Sequence, residues 1–359
     1  MDFKVLVIGA GAAGLAAGFA LERRGVEFEI LEASSRIGGR MKRISDFADF
    51  PIDLGAEWIH TAPSILEELA HDPEAGRKFE VVKYNPWIST WKGGRIRKNR
   101  LASLVYAEHK FKRTTWFGFF EKHLASRIQG RIRLDSPVRA IDVSGRRVQV
   151  ITQDGTTHKA DRIIVTVPLT VLKEAEIQFT PELPGEKVAA LNRLSMPDGL
   201  KLFFEFRERF YPDLLQGGPN KIQGWGEKIY YDAAFKKDSS RNILGLFTVG
   251  DPARPYATAA TDQETVDLAL DELDRIFGGA ASKHHVKHVV QNWSKEPFIR
   301  GSYTFDTDAA TRAILRSPLE GKVFFAGETY AESWATVHGA ALSGFEAVDQ
   351  VLESTSRTF

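Results

Sequence analysis

The chain has no cysteine among its 359 residues and only three methionines. The missing thiols exclude disulfides, thiolate nucleophiles and cysteine-ligated metals, and they suit a reducing compartment. They also exclude a cysteinyl thioether, so any cofactor is expected to be held non-covalently. No hydrophobic run reaches the roughly 20 residues that span a bilayer. A formal net charge of +1 leaves no global field to recruit nucleic acid or membrane. The opening stretch MDFKVLVIGAG runs straight into an apolar strand, and the closing QVLESTSRTF is short and polar, so neither end reads as a leader or an anchor. Internal repeats, low-complexity tracts and flexible linkers are lacking as well. The expectation is a cytoplasmic protein with no nucleic-acid partner and no integral membrane segment. The composition, 43% hydrophobic and 26% charged, is globular, and the length fits two domains or one nucleotide-binding domain with a large insert.

The first forty residues carry the strongest pattern. Lys4–Ile8 (KVLVI) reads as a buried parallel strand. It leads into GAGAAG, with Gly9, Gly11, Ala13 and Gly14, and then into an alanine-rich helix over residues 15–24 ended by Gly25. Glu27–Leu31 (EFEIL) reads as the second strand, and Glu32 stands at its end. In such a unit the first glycine permits the tight turn and the second lets a pyrophosphate approach the backbone. The third lets helix and strand pack closely, and the helix N-terminus faces the phosphates. The carboxylate of Glu32 is placed to accept ribose hydroxyls, and it would repel a 2′-phosphate.

Nicotinamide enzymes do not need the stretch that begins at this acid. EASSRIGGR (32–40) fits the ExxxRxGGR signature of the FAD-dependent amine oxidase superfamily, which the chain resembles over most of its length. DLGAEWIH (53–60) resembles the family segment that runs along the flavin, and residues 136–173 resemble its hairpin and VTVPLGVL block. LKLFFEF (200–206) resembles the strand bearing the flavin-facing lysine, NWSKEPFIRGSY (292–303) the W…GxY segment, and KVFFAGETYAESWATVHGAALSGFEAV (322–348) the C-terminal flavin block.

The resemblance implies an α/β fold: a Rossmann-like FAD-binding domain with an interleaved α+β substrate-binding domain. Residues 1–60, 134–172 and 292–354 would form the first, and 61–133 with 173–291 the second. Ala33, Arg36, Gly39 and Arg40 would lie on the diphosphate side, Gly38 and Gly39 admitting it and the two arginines bringing charge. Gly55, Ala56, Glu57, Trp58 and Trp293 would lie along the flavin, and the Val138 backbone would meet the adenine. A strand at 323–326 would end in Gly327 and Glu328, the acid on the ribityl chain. Thr336 and Val337 would open a helix over 337–352 whose N-terminus stabilises negative charge on the reduced ring.

Amine oxidation, as the resemblance implies it, moves a hydride equivalent from the carbon beside a neutral nitrogen to flavin N5. The imine then hydrolyses, and dioxygen or another acceptor reoxidises the flavin. Lys201 matches the lysine that orders a water at N5, and Tyr303 one wall of an aromatic slot. The other wall is Thr336, as in animal spermine and acetylpolyamine oxidases and the lysine-specific histone demethylases. His60 stands where polyamine oxidases place a polar residue near the substrate amine. The extra N-terminal module and long helical insertion of the histone demethylases are not in the sequence, which argues against that substrate. A small amine or an amino acid remains; Arg95, Arg97 and Arg300 are candidates for an amino-acid carboxylate.

The stretch from 61 to 137 is shorter than in typical members, so the site is expected to be open, with room for a partner or second subunit to cover it. Residues 63–133 hold 15 Lys/Arg against 7 Asp/Glu, a net +8, mostly a solvated face. Turned to the mouth, that charge would disfavour polyamines. The cluster WFGFF (116–120) reads as core. A flavin desaturase acting on C–C bonds of a lipid or porphyrinogen, and a catalytically silent flavin-binding protein, are the alternatives.

Overall fold

The computed structural model describes residues 3–99, 108–219 and 224–356. Its central layer is a five-stranded sheet, all parallel, in the order Ile132–Arg133, Glu27–Leu31, Lys4–Ile8, Arg162–Val165, Val323–Phe325. Val5, Leu6 and Val7 are completely buried, as a strand covered on both faces requires. One cover is the helix Ala12–Arg23 against the long helix Val337–Ser356. They cross on small residues: a Cβ at Gly344 would stand 2.3 Å from the Ala13 carbonyl oxygen.

Beside this sheet lies a four-stranded one, ordered Thr157–Ala160, Val148–Thr152, Val138–Asp142, Gln178–Thr180. A seven-stranded sheet forms the second lobe, in the order His285–Asn292, Gly199–Phe206, Asn242–Gly250, Gly226–Asp232, Leu214–Gln216, Ile88–Lys92, Arg95–Lys98. Gly199–Phe206 lies inside this sheet and is buried at every position. The amphipathic helix Asp262–Phe277 packs Val266, Ala269 and Leu273 against it. Thr261 caps that helix by accepting from the Glu264 N–H, and Gly278 ends it in the left-handed region. A small antiparallel sheet, Trp58–Ile59, Glu108–Phe111 and Val81–Tyr84, joins the lobes.

Two helices run longer than the sequence predicts. The first begins at Ala12 rather than 15, because the glycine-rich turn itself takes helical geometry directly after Gly11. The last continues to Ser356. Of WFGFF, Trp116, Phe119 and Phe120 are fully buried while Phe117 is half-buried. Some described cations of the basic insert are engaged, Lys110 by burial, Lys78 with Asp72, and Lys112 and Arg113 with Glu80 and Asp238, while Arg95, Arg97 and Lys98 stand exposed on the strand Arg95–Lys98. Arg100 of that insert lies outside the described residues.

Candidate active site

A cleft of about 560 Å³ runs from the glycine-rich turn to the face of the seven-stranded sheet. At the first end, the helix Ala12–Arg23 has Gly11 as its N-cap and no side chain bonded to its first turn. Its free N–H groups and dipole are available to an anion in the cleft. A Cβ on Gly11 would meet nothing within 4 Å, so the backbone there opens directly onto free space. Gly14 does not line the cleft. It lies under the turn, where a Cβ would stand 1.9 Å from the Gly9 carbonyl oxygen.

Glu32 is buried beside this turn. One carboxylate oxygen accepts from the Ala10 N–H at 2.6 Å and the other from the Ser34 N–H and hydroxyl at 2.9 and 2.7 Å. Ala33, Arg36 and Gly39 line the same wall. Arg36 spends its guanidinium on loop carbonyls, with Gly39 O at 2.9 Å, and so ties the loop. Arg40 reaches across the cleft to Glu328 and to the Ser302 carbonyl, both at 2.9 Å. Glu328 also accepts from the Thr304 hydroxyl at 2.9 Å and the Ala335 N–H at 3.2 Å. Val138, Gly327 and Val337 complete the lining.

Glu32, the uncapped helix and the open Gly11 backbone fit an adenosine diphosphate. Beyond them the cleft continues past Gly55, Ala56, Glu57 and Trp58 to Lys201 and Trp293. The Trp293 Nε1 donates to the Leu54 carbonyl at 3.0 Å, which fixes that loop. Such a long slot, polar at one end and ring-lined at the other, suits FAD.

Lys201 is 2% exposed. It points from the sheet into the cleft and donates to Glu57 at 2.7 Å and to the Asp53 carbonyl at 3.2 Å. Burial pulls its pKa below the ordinary lysine value, opposed by Glu57 and Asp53. Glu57 is held in turn by an ion pair to Lys110 and by the Tyr231 hydroxyl, which donates at 2.5 Å. Burial would raise the Glu57 pKa, but the two lysines outweigh it and hold the carboxyl well below its usual range.

At the outer end, Tyr303 lies 4.8 Å from Phe305, centroid to centroid, and Trp334 lies 6.0 Å from Phe305 edge-on. The Thr336 hydroxyl faces the cleft but is committed to the helix, accepting from the Gly339 N–H at 3.0 Å. His60 is exposed at the mouth, its Nδ1 3.2 Å from Glu108. Glu227 lines the same mouth. The walls around it raise its pKa by removing water, and His60 opposes the shift.

Phe305, Trp334, Phe247 and Glu227 were not signalled by the sequence. The first two lie in irregular segments without periodicity, and the last two depend on how Asn242–Gly250 pairs with Gly226–Asp232 on one side and Gly199–Phe206 on the other. The candidate carboxylate arginines lie elsewhere. Arg95 and Arg97 sit on an exposed edge strand, and Arg300 is paired with Glu174 at 3.1 Å and with Glu176. An edge strand turned to solvent, and a guanidinium already facing two carboxylates, leave none of them as the clamp.

Residues 117–352 match the family model for flavin containing amine oxidoreductases, and residues 7–71 match the one for an NAD(P)-binding Rossmann-like domain. The chain belongs to the flavin-containing amine oxidase family. It is 27% identical to polyamine oxidase 4 of Oryza sativa subsp. japonica, covering 97% of this chain and 88% of that one. It is 26% identical to lysine-specific histone demethylase 1B of Mus musculus over 97% of its own residues, but spans only 52% of that protein. Among solved structures, cyclohexylamine oxidase from Brevibacterium oxydans superposes with a TM-score of 0.82 at 18% identity, covering 99% of this chain and all of the other. A putrescine oxidase bound to putrescine superposes at 0.78 and 16% identity over 98% of this chain and 99% of the other. These likenesses carry the fold.

Proposed function

We propose that the chain is an FAD-dependent amine oxidase acting on a small primary or secondary amine, with the flavin held non-covalently. A flavin bound in the cleft would accept the hydride from the carbon beside nitrogen and pass electrons to dioxygen. The residues supply the rest. Glu32 would bind the ribose, the Ala12–Arg23 N-terminus the diphosphate, and Arg40 with Glu328 would close the ribityl passage. Lys201 would hold a water on the cleft floor for reoxidation or imine hydrolysis. Tyr303, Phe305 and Trp334 wall the substrate end and exclude water, which favours the neutral amine over the ammonium. The carboxylates of Glu227 and Glu108 at the mouth would attract the incoming cation, with His60 between them placed to carry its proton.

The observation that carries this reading is a buried lysine on the floor of a cleft whose far end is walled by rings and whose mouth bears acid. That mouth fits a cation better than the net charge of the insert suggests, because the exposed insert cations Arg95, Arg97 and Lys98 do not line the cleft. The division into a discontinuous FAD domain (1–60, 134–172, 292–354) and a substrate domain, and the cytoplasmic location, belong to the same proposal. Cover of the open mouth by a second subunit belongs to it as well.

A screen of amines against the purified chain, following flavin absorbance without air, tests it. Mono- and diamines should bleach the visible band, and admitted air should restore it with one peroxide per turnover. Bleaching by hydrophobic polyenes or porphyrinogens alone would assign the desaturase reaction instead, and bleaching by nothing would leave a silent flavoprotein.

A further inference from the structure

The resemblance accounts for Lys201 but not for the groups around it. Behind the cleft floor lies a closed set of charges drawn from four separate segments. Glu57 comes from the loop before Trp58–Ile59, Lys110 from Glu108–Phe111, Lys201 from Gly199–Phe206 and Tyr231 from Gly226–Asp232. Each of the two lysines is 2% exposed and Glu57 is 6% exposed. The carboxylate is divided between them, one oxygen to Lys110 and the other to Lys201 and Tyr231.

Lys110 is further boxed by rings. Its Nζ stands 4.6 Å from the Tyr84 centroid, 4.9 Å from Tyr231 and 5.3 Å from Trp58. Ring faces favour a cation there after water is gone. Lys201 shares the Trp58 ring, at 5.0 Å.

Burying two ammonium groups on one carboxylate costs more than packing apolar side chains in the same space. Stability is thus a weak explanation of the arrangement, which lies at the Lys201 end of the cleft. We propose that Glu57 is a positioning residue for Lys201, fixing its ammonium on the cleft floor as a standing charge, with Lys110 as the counterweight that sets how firmly it is held. This rests on the reading of the cleft as a flavin site. Two lysines against one carboxylate leave one net positive charge beneath the cofactor, where negative charge collects when it is reduced.

The groups facing the triad fit this. Asp53, at the end of the strand Ile52–Asp53 four residues before Glu57, has its pKa pushed up to about 8 by burial and by Glu57, which disfavours a second anion there. Lys237, from the turn after the Tyr231 strand, is brought down to about 8, by burial first and then by Lys110. Burial and Glu57 both push the Tyr231 hydroxyl up, so it remains a donor. Glu57 favours the charged form of Lys201 and Lys110 opposes it.

The two partners should thus shift Lys201 in opposite directions. The test is the pH titration of the Lys201 Cε resonance in [13Cε]lysine-labelled chain, assigned by its loss in Lys201→Met, with and without FAD. Glu57→Gln should lower the midpoint by at least one pH unit, a tenfold change in proton affinity, and Lys110→Met should raise it. In flavin-loaded protein the visible band should titrate with the same midpoints. A midpoint unmoved in both variants, or moved the same way in both, overturns the proposal. If Glu57→Gln does not fold, Lys110→Met and Glu57→Asp decide it by the same readout. A wild-type chain that takes up no flavin yet shows the opposed shifts would sink the oxidase reading and leave the role of Glu57 standing.

Discussion

Glu227 is the residue whose chemistry is least shared with its surroundings: a carboxylate among rings at the mouth of a cleft. It sits on the same sheet face as Lys201, on the second strand over and one pleat along, which places the two roughly 12 Å apart at Cα. A cation held at Glu227 is thus several atoms from the reacting carbon. Glu227→Gln should raise KM for a diamine severalfold and leave that for a monoamine within about twofold, with kcat changed less than KM in both; an ion pair at an exposed mouth is worth up to ~1 kcal/mol. Steady-state kinetics on the two substrates check it. The glycine-rich turn and the buried Glu32 beside it were legible because they are contiguous: glycines and an acid at fixed spacing announce such a turn. Glu227 was not, since its place depends on pairing with Val249 across a strand that no local pattern predicts.

At the scale of elements, the helix Ala309–Arg316 shows how a short segment is held. Asp308 caps its start by accepting from the Thr311 N–H at 2.7 Å. Its end is closed from outside. The Lys187 ammonium, from helix Gly185–Arg193, donates to the carbonyls of Ile314, Leu315 and Ser317 at 2.9, 2.6 and 2.9 Å and lies 4.3 Å from the Phe325 ring centroid. Lys187→Met keeps the apolar stem but leaves three carbonyls without this donor. We expect a loss of about 2–3 kcal/mol in urea unfolding, with the cleft and its flavin untouched. Binding of FAD at wild-type affinity alongside a lowered urea midpoint is the outcome that confirms it. A lysine used as a helix cap at long range leaves no mark in periodicity.

For the whole molecule, the buried charges tie stability to pH. Asp53 keeps its proton in the folded chain up to about 8, driven by burial and by Glu57, whereas an unfolded aspartate releases it near ~3.9. Between those values the folded state binds more protons than the unfolded one. This group's contribution is fully favourable below the lower value and is lost as pH rises towards the upper. Asp53→Asn, which cannot ionise, removes that slope: relative to wild type it should gain stability between pH 5 and pH 8, read as a rising difference in melting temperature. A constant difference would place the titration elsewhere. The opening strands of the parallel sheet were legible from their apolar runs. The three-stranded sheet joining the lobes was not, because Trp58–Ile59 and Glu108–Phe111 show no alternation long enough to read as strands.

The parallel sheet has one more implication, for synthesis. Its fifth strand, Val323–Phe325, and the helix that packs on Ala12–Arg23, Val337–Ser356, come after the rest of the sheet along the chain. At about 5–20 residues per second, the strand Arg162–Val165 waits roughly ten to thirty seconds on the ribosome for its outer neighbour. Throughout that interval its apolar edge is bare, so a nascent chain stalled short of its final helix is expected to need chaperone shelter rather than to fold in stages.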